Sequence, residues 1–214
     1  GYNTTENAID VSDKDDKVAF NTWNVKGLFM PDAIANYSVN GINYFITANE
    51  GDAREYGDYA DVKRLSKLNL DPIAFPDAAI LQSEAKMGRL NIISTLGDAN
   101  KDGKHEELYA FGGRSFTIWN GDSGSLVFDS KNELDQKAIG INVYDDSRSD
   151  DKAVEPEGIS VGKVGNKMVA FVGLERADAV AIYDISNPQT PKFLQIIKCG
   201  DAPEGILFIP AKDS

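Results

Sequence analysis

The sequence predicts an all-β chain: a β-propeller of antiparallel four-stranded blades, incomplete within these 214 residues. Three observations predict it. Short β-branched and aromatic runs alternate with hairpin turns, one hairpin motif recurs without a gap, and the shorter recurrence interval is that of a blade.

The strands come first. Ile42-Asn43-Tyr44-Phe45-Ile46-Thr47-Ala48, Ser115-Phe116-Thr117-Ile118-Trp119, Met168-Val169-Ala170-Phe171-Val172 and Ala179-Val180-Ala181-Ile182-Tyr183 suit a pleated, half-buried surface. Asn40-Gly41 supplies two left-handed residues for a tight hairpin, and Gly165-Asn166 stands in the same role. Asn120–Gly124 makes a looser hairpin between Trp119 and Leu126. Helix is expected only around 60–68 and 78–86, within a long insertion at about 56–90. Loops of that length on a β scaffold are usually functional or cover something.

The repeat comes next. Pro31-Asp32-Ala33-Ile34 opens a hairpin that ends on Glu50; Pro156-Glu157-Gly158-Ile159 opens another, 125 positions later, that ends on Glu175. Pro203-Glu204-Gly205-Ile206 begins a third, 47 residues after Pro156. Tyr109–Trp119 followed by Leu126-Val127-Phe128 echoes Phe171–Tyr183 followed by Phe193-Leu194. Blades of about 40–50 residues bury their faces against one another. Residues 1–214 are therefore read as a single propeller domain of about four blades. The remainder is expected from further sequence or another chain. The competing architecture is a β-sandwich with accidental hairpin similarity.

Composition narrows the chemistry. Thirty-four acids against 22 bases give a net charge of −12, which repels phosphate backbones and suits divalent cations or basic ligands. A lone cysteine, Cys199, excludes an intrachain disulfide, and a lone histidine, His105, excludes a multi-histidine zinc site. No apolar run reaches the roughly 20 residues of a membrane helix. The chain starts at Gly1-Tyr2-Asn3 without a leader pattern, which does not make it cytosolic. Asn3-Thr4-Thr5 and Asn36-Tyr37-Ser38 fit the glycosylation sequon.

The repeated acids are the main candidates. Equivalent positions on successive blades face one end of a central channel, so Asp32, Glu50, Asp52, Glu157, Glu175 and Glu204 are expected to converge there. Crowded carboxylates need a cation or a basic partner. Arg54, Arg114, Arg148 and Arg176 are candidates for that partner or for holding a phosphate. The structural alternative is carboxylates that cap strand ends and pair with arginines. A separate loop, Asp98-Ala99-Asn100-Lys101-Asp102-Gly103, matches the front half of a calcium loop. Tyr109 replaces the closing Glu, so Glu106 or Glu107 must serve, and His105 is expected to be solvent-exposed. The runs Asp145–Lys152 and Asp10–Asp16 can also offer oxygens; the second reads as a solvated charge run.

Several longer motifs fall in a familiar order: Gly27–Ala35, Thr47–Tyr56, Glu107–Gly112, Arg114-Ser115-Phe116, Ser147–Lys152, Glu155–Gly158, Gly173-Leu174-Glu175-Arg176 and Tyr183-Asp184-Ile185. Together they resemble the choice-of-anchor I proteins of bacteria, which are similar to the animal mesenchyme-specific cell-surface glycoproteins. The resemblance implies a propeller domain that is extracellular, at the cell surface or periplasmic. Some relatives are named alkaline phosphatases, but no catalytic residues carry over. Family members commonly have a more acidic loop than Asp98–Gly103. The expected function is a surface module binding a metal ion, with calcium the candidate, or a small-molecule or surface ligand, or both, at its channel face; a blander option is a repeat domain that only mediates assembly. The alternative is a metal-dependent phosphoesterase, with acids holding calcium and arginines holding phosphate.

Overall fold

The structure, a computed structural model, describes residues 1–211. Strands β1 (Lys26–Leu28), β2 (Ala33–Val39) and β3 (Ile42–Asn49) are followed by the short strands β4 (Glu55–Tyr56), β5 (Tyr59–Ala60) and β6 (Val62–Arg64). Helix α1 (Ala78–Leu81) precedes β7 (Asn91–Ile93), β8 (Tyr109–Phe111), β9 (Ser115–Asn120) and β10 (Leu126–Asp129). Helix α2 (Glu133–Gly140) leads to β11 (Pro156–Val164), β12 (Lys167–Leu174), β13 (Ala179–Asp184) and β14 (Lys192–Lys198). The all-β class holds.

The chain divides into two units. One comprises residues 31–50, 114–144 and those from 154 onward; the other comprises 1–30, 51–113 and 145–153.

The first unit contains the repeat. Its two sheets, in strand order β10-β9-β3-β2 and β11-β12-β13-β14, are antiparallel meanders. Asn40 (φ 52°) and Gly41 (φ 79°) close the β2–β3 hairpin at Val39↔Ile42, and Gly165 (φ 60°) closes β11–β12 at Val164↔Lys167. Alternation then decides burial. Tyr44, Ile46 and Ala48 point one way from β3 into a core shared with Phe116, Ile118, Ala170, Val172, Ala179, Ala181 and Tyr183. The Phe116 and Tyr183 rings meet edge to face at 4.7 Å. Helix α2, not anticipated from the sequence, adds Leu134 and Ala138 to this core; their spacing of four places them on one helical face.

The repeat extends to backbone conformation. The residues before the three motif prolines, Met30, Glu155 and Ala202, all adopt left-handed φ values of 43°, 49° and 44°. The third copy runs against the β11–β12 hairpin. The Phe208 N–H donates to Ser160 Oγ at 3.1 Å, and its ring stacks on Phe171 at 5.7 Å. Gly162 leaves room for that ring, since a Cβ there would sit 2.1 Å from it.

The second unit carries the sheet β1-β8-β7-β6, in which β1 and β8 are parallel and the other pairs antiparallel, plus the β4-β5 hairpin. Leu65, Met87, Leu90, Ile92 and Leu108 fill its core. Among the described residues there are thus three four-stranded sheets, where about four blades were expected. The stretch 65–90 is spent on turns and short helices instead of a further sheet. The helix expected at 60–68 is replaced by β6 and a 3-10 turn at Leu65–Lys67, and the one at 78–86 shortens to α1. The echo of Tyr109–Trp119 is half structural. β9 and β10 match β13 and β14 in order, while Tyr109–Phe111 belongs to a sheet of the other unit.

Candidate carboxylate site

The ends of paired strands bring acids together in the repeat-bearing unit. Glu50 follows β3 and Glu175 follows β12, at equivalent places in the two hairpins. Both are nearly enclosed, at 7% and 8% exposure. Glu155, one residue before β11, is more deeply buried at 1%. One oxygen from each of Glu50, Glu155 and Glu175 can be chosen so that all three lie within 4.8 Å of one another. Backbone pairing fixes this arrangement, because the Glu175 N–H donates to the Glu155 carbonyl at 3.0 Å.

Two more acids reach the cluster. Glu157 hydrogen-bonds Glu175, and its carboxyl is pushed up to about 8. Burial is the main cause, followed by that hydrogen bond and the charges of Glu175, Glu50 and Asp32. Asp32 itself is exposed, one residue before β2. Glu204 is exposed too, and its carbonyl passes over Gly158 beside Glu157, where a Cβ would lie 2.5 Å from it.

Cations are fewer than acids here. Arg176 Nη1 pairs with Glu175 Oε1 at 2.9 Å, and its Nε approaches Glu155 Oε2 at 3.5 Å. Arg114 is only 2% exposed and precedes β9 in a left-handed turn. The ladder ending at Asn49↔Ser115 sets it at the same sheet end as Glu50. Asp32, Glu50, Glu155, Glu157 and Glu175 thus share this sheet end with Arg114 and Arg176.

The other candidates lie in the second unit. Asp52 is exposed and pairs with Lys152 at 3.6 Å. Arg54 donates from Nε to Asp61 at 2.7 Å, and Arg148 pairs with Asp151 at 3.1 Å. In the Asp98–Glu106 loop, oxygens of Asp98, Asp102 and Glu106 lie within 4.8 Å of one another. The loop also closes on itself. Asp98 accepts the N–H groups of Asp102 and Gly103, Asn100 accepts that of Asp102, and Glu106 accepts from Ala99 and the Asn100 amide. His105 is a correction: it is buried, not solvent-exposed. A bridge between Leu70 and His105 turns its ring inward, with Nδ1 3.2 Å from the Asn69 carbonyl and Nε2 3.3 Å from that of Ser94. The run Asp10–Asp16 is not simply solvated either. Asp10 is buried and accepts the Ala19 N–H at 2.9 Å, fixing the turn between them.

Glu155 is the residue that sequence reasoning passed over as a ligand. The signal was present: the same left-handed position holds Met30 in the first copy and Ala202 in the third. The turn therefore needs no carboxylate, and the one at Glu155 requires another reason.

The choice-of-anchor I domain matches residues 1–188. The chain belongs to the choice-of-anchor I family. It is 33% identical over 135 residues to gigasin-3a of Magallana gigas, covering 56% of this chain and 47% of that protein. It is 24% identical over 240 residues to a mesenchyme-specific cell surface glycoprotein of Strongylocentrotus purpuratus, covering 90% of this chain and 30% of that protein. The chain thus spans under half the length of either relative. No solved structure matches it. Among the described residues, no helix is long and apolar enough to cross a membrane.

Proposed function

We propose that this choice-of-anchor I domain is an extracellular or cell-surface propeller module that binds a divalent cation, calcium, at Glu50, Glu155 and Glu175. The observation that carries the reading is the mutual approach of three buried carboxylates, one on a left-handed backbone position that the other two copies fill without an acid. Buried like charges are costly unless a cation or proton compensates them. An all-oxygen donor set suits a hard cation, and calcium accepts carboxylates in flexible geometry. In this reading Glu157, hydrogen-bonded to Glu175, joins the set when it gives up its proton. The name of the sea-urchin relative supports a surface location. The Asp98–Asp102–Glu106 loop is included as a second, weaker calcium position, because its oxygens already serve backbone N–H groups.

The test is a calcium titration of the whole chain by calorimetry, with melting followed in parallel. Glu50→Gln and Glu175→Gln should each remove the tighter binding event, whereas Asp98→Asn should leave it. An unchanged tight event in both Glu variants would retire the reading.

Arg114 and Arg176 at the same strand ends favour a second reading, a calcium-dependent phosphoesterase. In it the cation polarises a phosphate ester and the guanidinium groups hold its oxygens. Release from an artificial phosphoester should then require calcium and fail in Arg176→Ala. No turnover with calcium present would dismiss it.

A further inference from the structure

We infer that Asn36 is the acceptor of an asparagine-linked oligosaccharide whose first sugars lie across the outward face of the β10-β9-β3-β2 sheet. Asn36-Tyr37-Ser38 is a sequon within β2. Alternation separates its residues: Tyr37 packs into the core, while Asn36 and Ser38 face outward and are exposed. β2 is the edge strand, so nothing within the sheet stands beyond it.

The register adds a second observation. Asn36 pairs with Phe45, Phe45 with Trp119, and Trp119 with Leu126. These four residues form one row across the sheet on the face opposite the core; further along that face Thr47, Asn49, Ser115 and Thr117 are buried. Phe45 is 40% exposed and Leu126 50%, and Ile34, two residues before Asn36 on the same face, is 65% exposed. An exposed apolar row on a sheet face invites association with another chain. A bulky, solubilising glycan anchored at one end of the row covers it. Sugar C–H faces can rest on the Phe45 and Trp119 rings.

In the transfer, the Asn36 amide nitrogen forms a bond to C1 of an oligosaccharide carried on a polyprenyl diphosphate. The C1–O bond breaks, the diphosphate leaves with the electron pair, and the amide gives up one proton to a base of the transferase.

The test routes the chain through a eukaryotic secretory pathway and maps its peptides after amidase release, which converts glycosylated Asn to Asp. The peptide holding Asn36 should carry that conversion. Asn36→Gln and Ser38→Ala should each lose the mass of one glycan, and Asn3→Gln should leave it in place. An Asn36 peptide recovered wholly unmodified overturns the assignment. Binding of an apolar dye should rise in Ser38→Ala relative to the glycosylated chain; equal binding overturns the covering role.

Discussion

Replacing Glu157 by Gln tests the electrostatics of the carboxylate cluster without removing its hydrogen bond, since an amide N–H can still donate to Glu175. In the native chain the Glu157 carboxyl rises from 4.5 to about 8, chiefly through burial and then through Glu175. The folded state thus keeps a proton that the unfolded chain releases near 4.5. Stability from this source is fully present below that pH and is lost as pH rises through about 8. At about 1.4 kcal/mol for each tenfold change, the whole rise amounts to no more than about 5 kcal/mol. Glu157 is only partly buried, and solvent screening reduces this to about 1–2 kcal/mol. For a chain of this size, that is roughly 2–8 °C in melting temperature. The assay is thermal unfolding from pH 4.5 to 9 in the presence of a chelator, so that no cation substitutes for the proton. The native chain should lose stability across that window, and Glu157→Gln should lose less by that margin. Parallel profiles for the two proteins would refute the claim that Glu157 holds a proton against its neighbours.

Three substitutions test the fold of the two units. Gly51 has φ +87°, and a Cβ there would meet the Gly112 nitrogen at 1.9 Å; Gly51→Ala should cost about 3 kcal/mol or more and be visible as a lowered melt. Phe208→Ala removes the stack on Phe171, and should cost about 1–2 kcal/mol and speed proteolysis near residues 201–211, with an unchanged cleavage rate as the contrary result. Arg89 pairs with Asp13 at 2.6 Å and Asp150 at 3.0 Å. Arg89→Leu strips one partner from Asp150, whose side chain is 5% exposed, and should cost about 2–4 kcal/mol in urea unfolding at neutral pH, less below pH 4.

Local chemistry made the hairpins legible. Asn40-Gly41 can close a two-residue turn, and placing Tyr44, Ile46 and Ala48 together on the core face leaves one register that buries all three. Residues 51–113 were not legible in the same way. Strands of two or three residues, such as β5, β6 and β7, carry too little pattern to show a period. Val62-Lys63-Arg64 lies beside a 3-10 turn whose Leu65 and Leu68 point inward like a helical face. His105 was misread for a related reason. Its neighbours in sequence are charged, but its burial is decided by pairing with Leu70, 35 positions away.

The carboxylate cluster shows how far a repeat can inform a site. Equivalence between copies located Glu50 and Glu175, because residues that end matching strands must share one end of their sheets. The same logic obscured Glu155, since a repeat directs attention to what its copies have in common. The departure carries the information here. Met30 and Ala202 show that the pre-proline turn forms with an apolar side chain, so the acid of Glu155 sits at 1% exposure without a demand from the backbone. Its partner Arg176 is shared with Glu175, so this one guanidinium serves two buried carboxylates. Glu155→Met, which restores the residue of the first copy, should therefore fold at least as well as the native chain in chelator and lose the calcium-dependent rise in melting temperature. A stable variant that kept that rise would place the cation elsewhere.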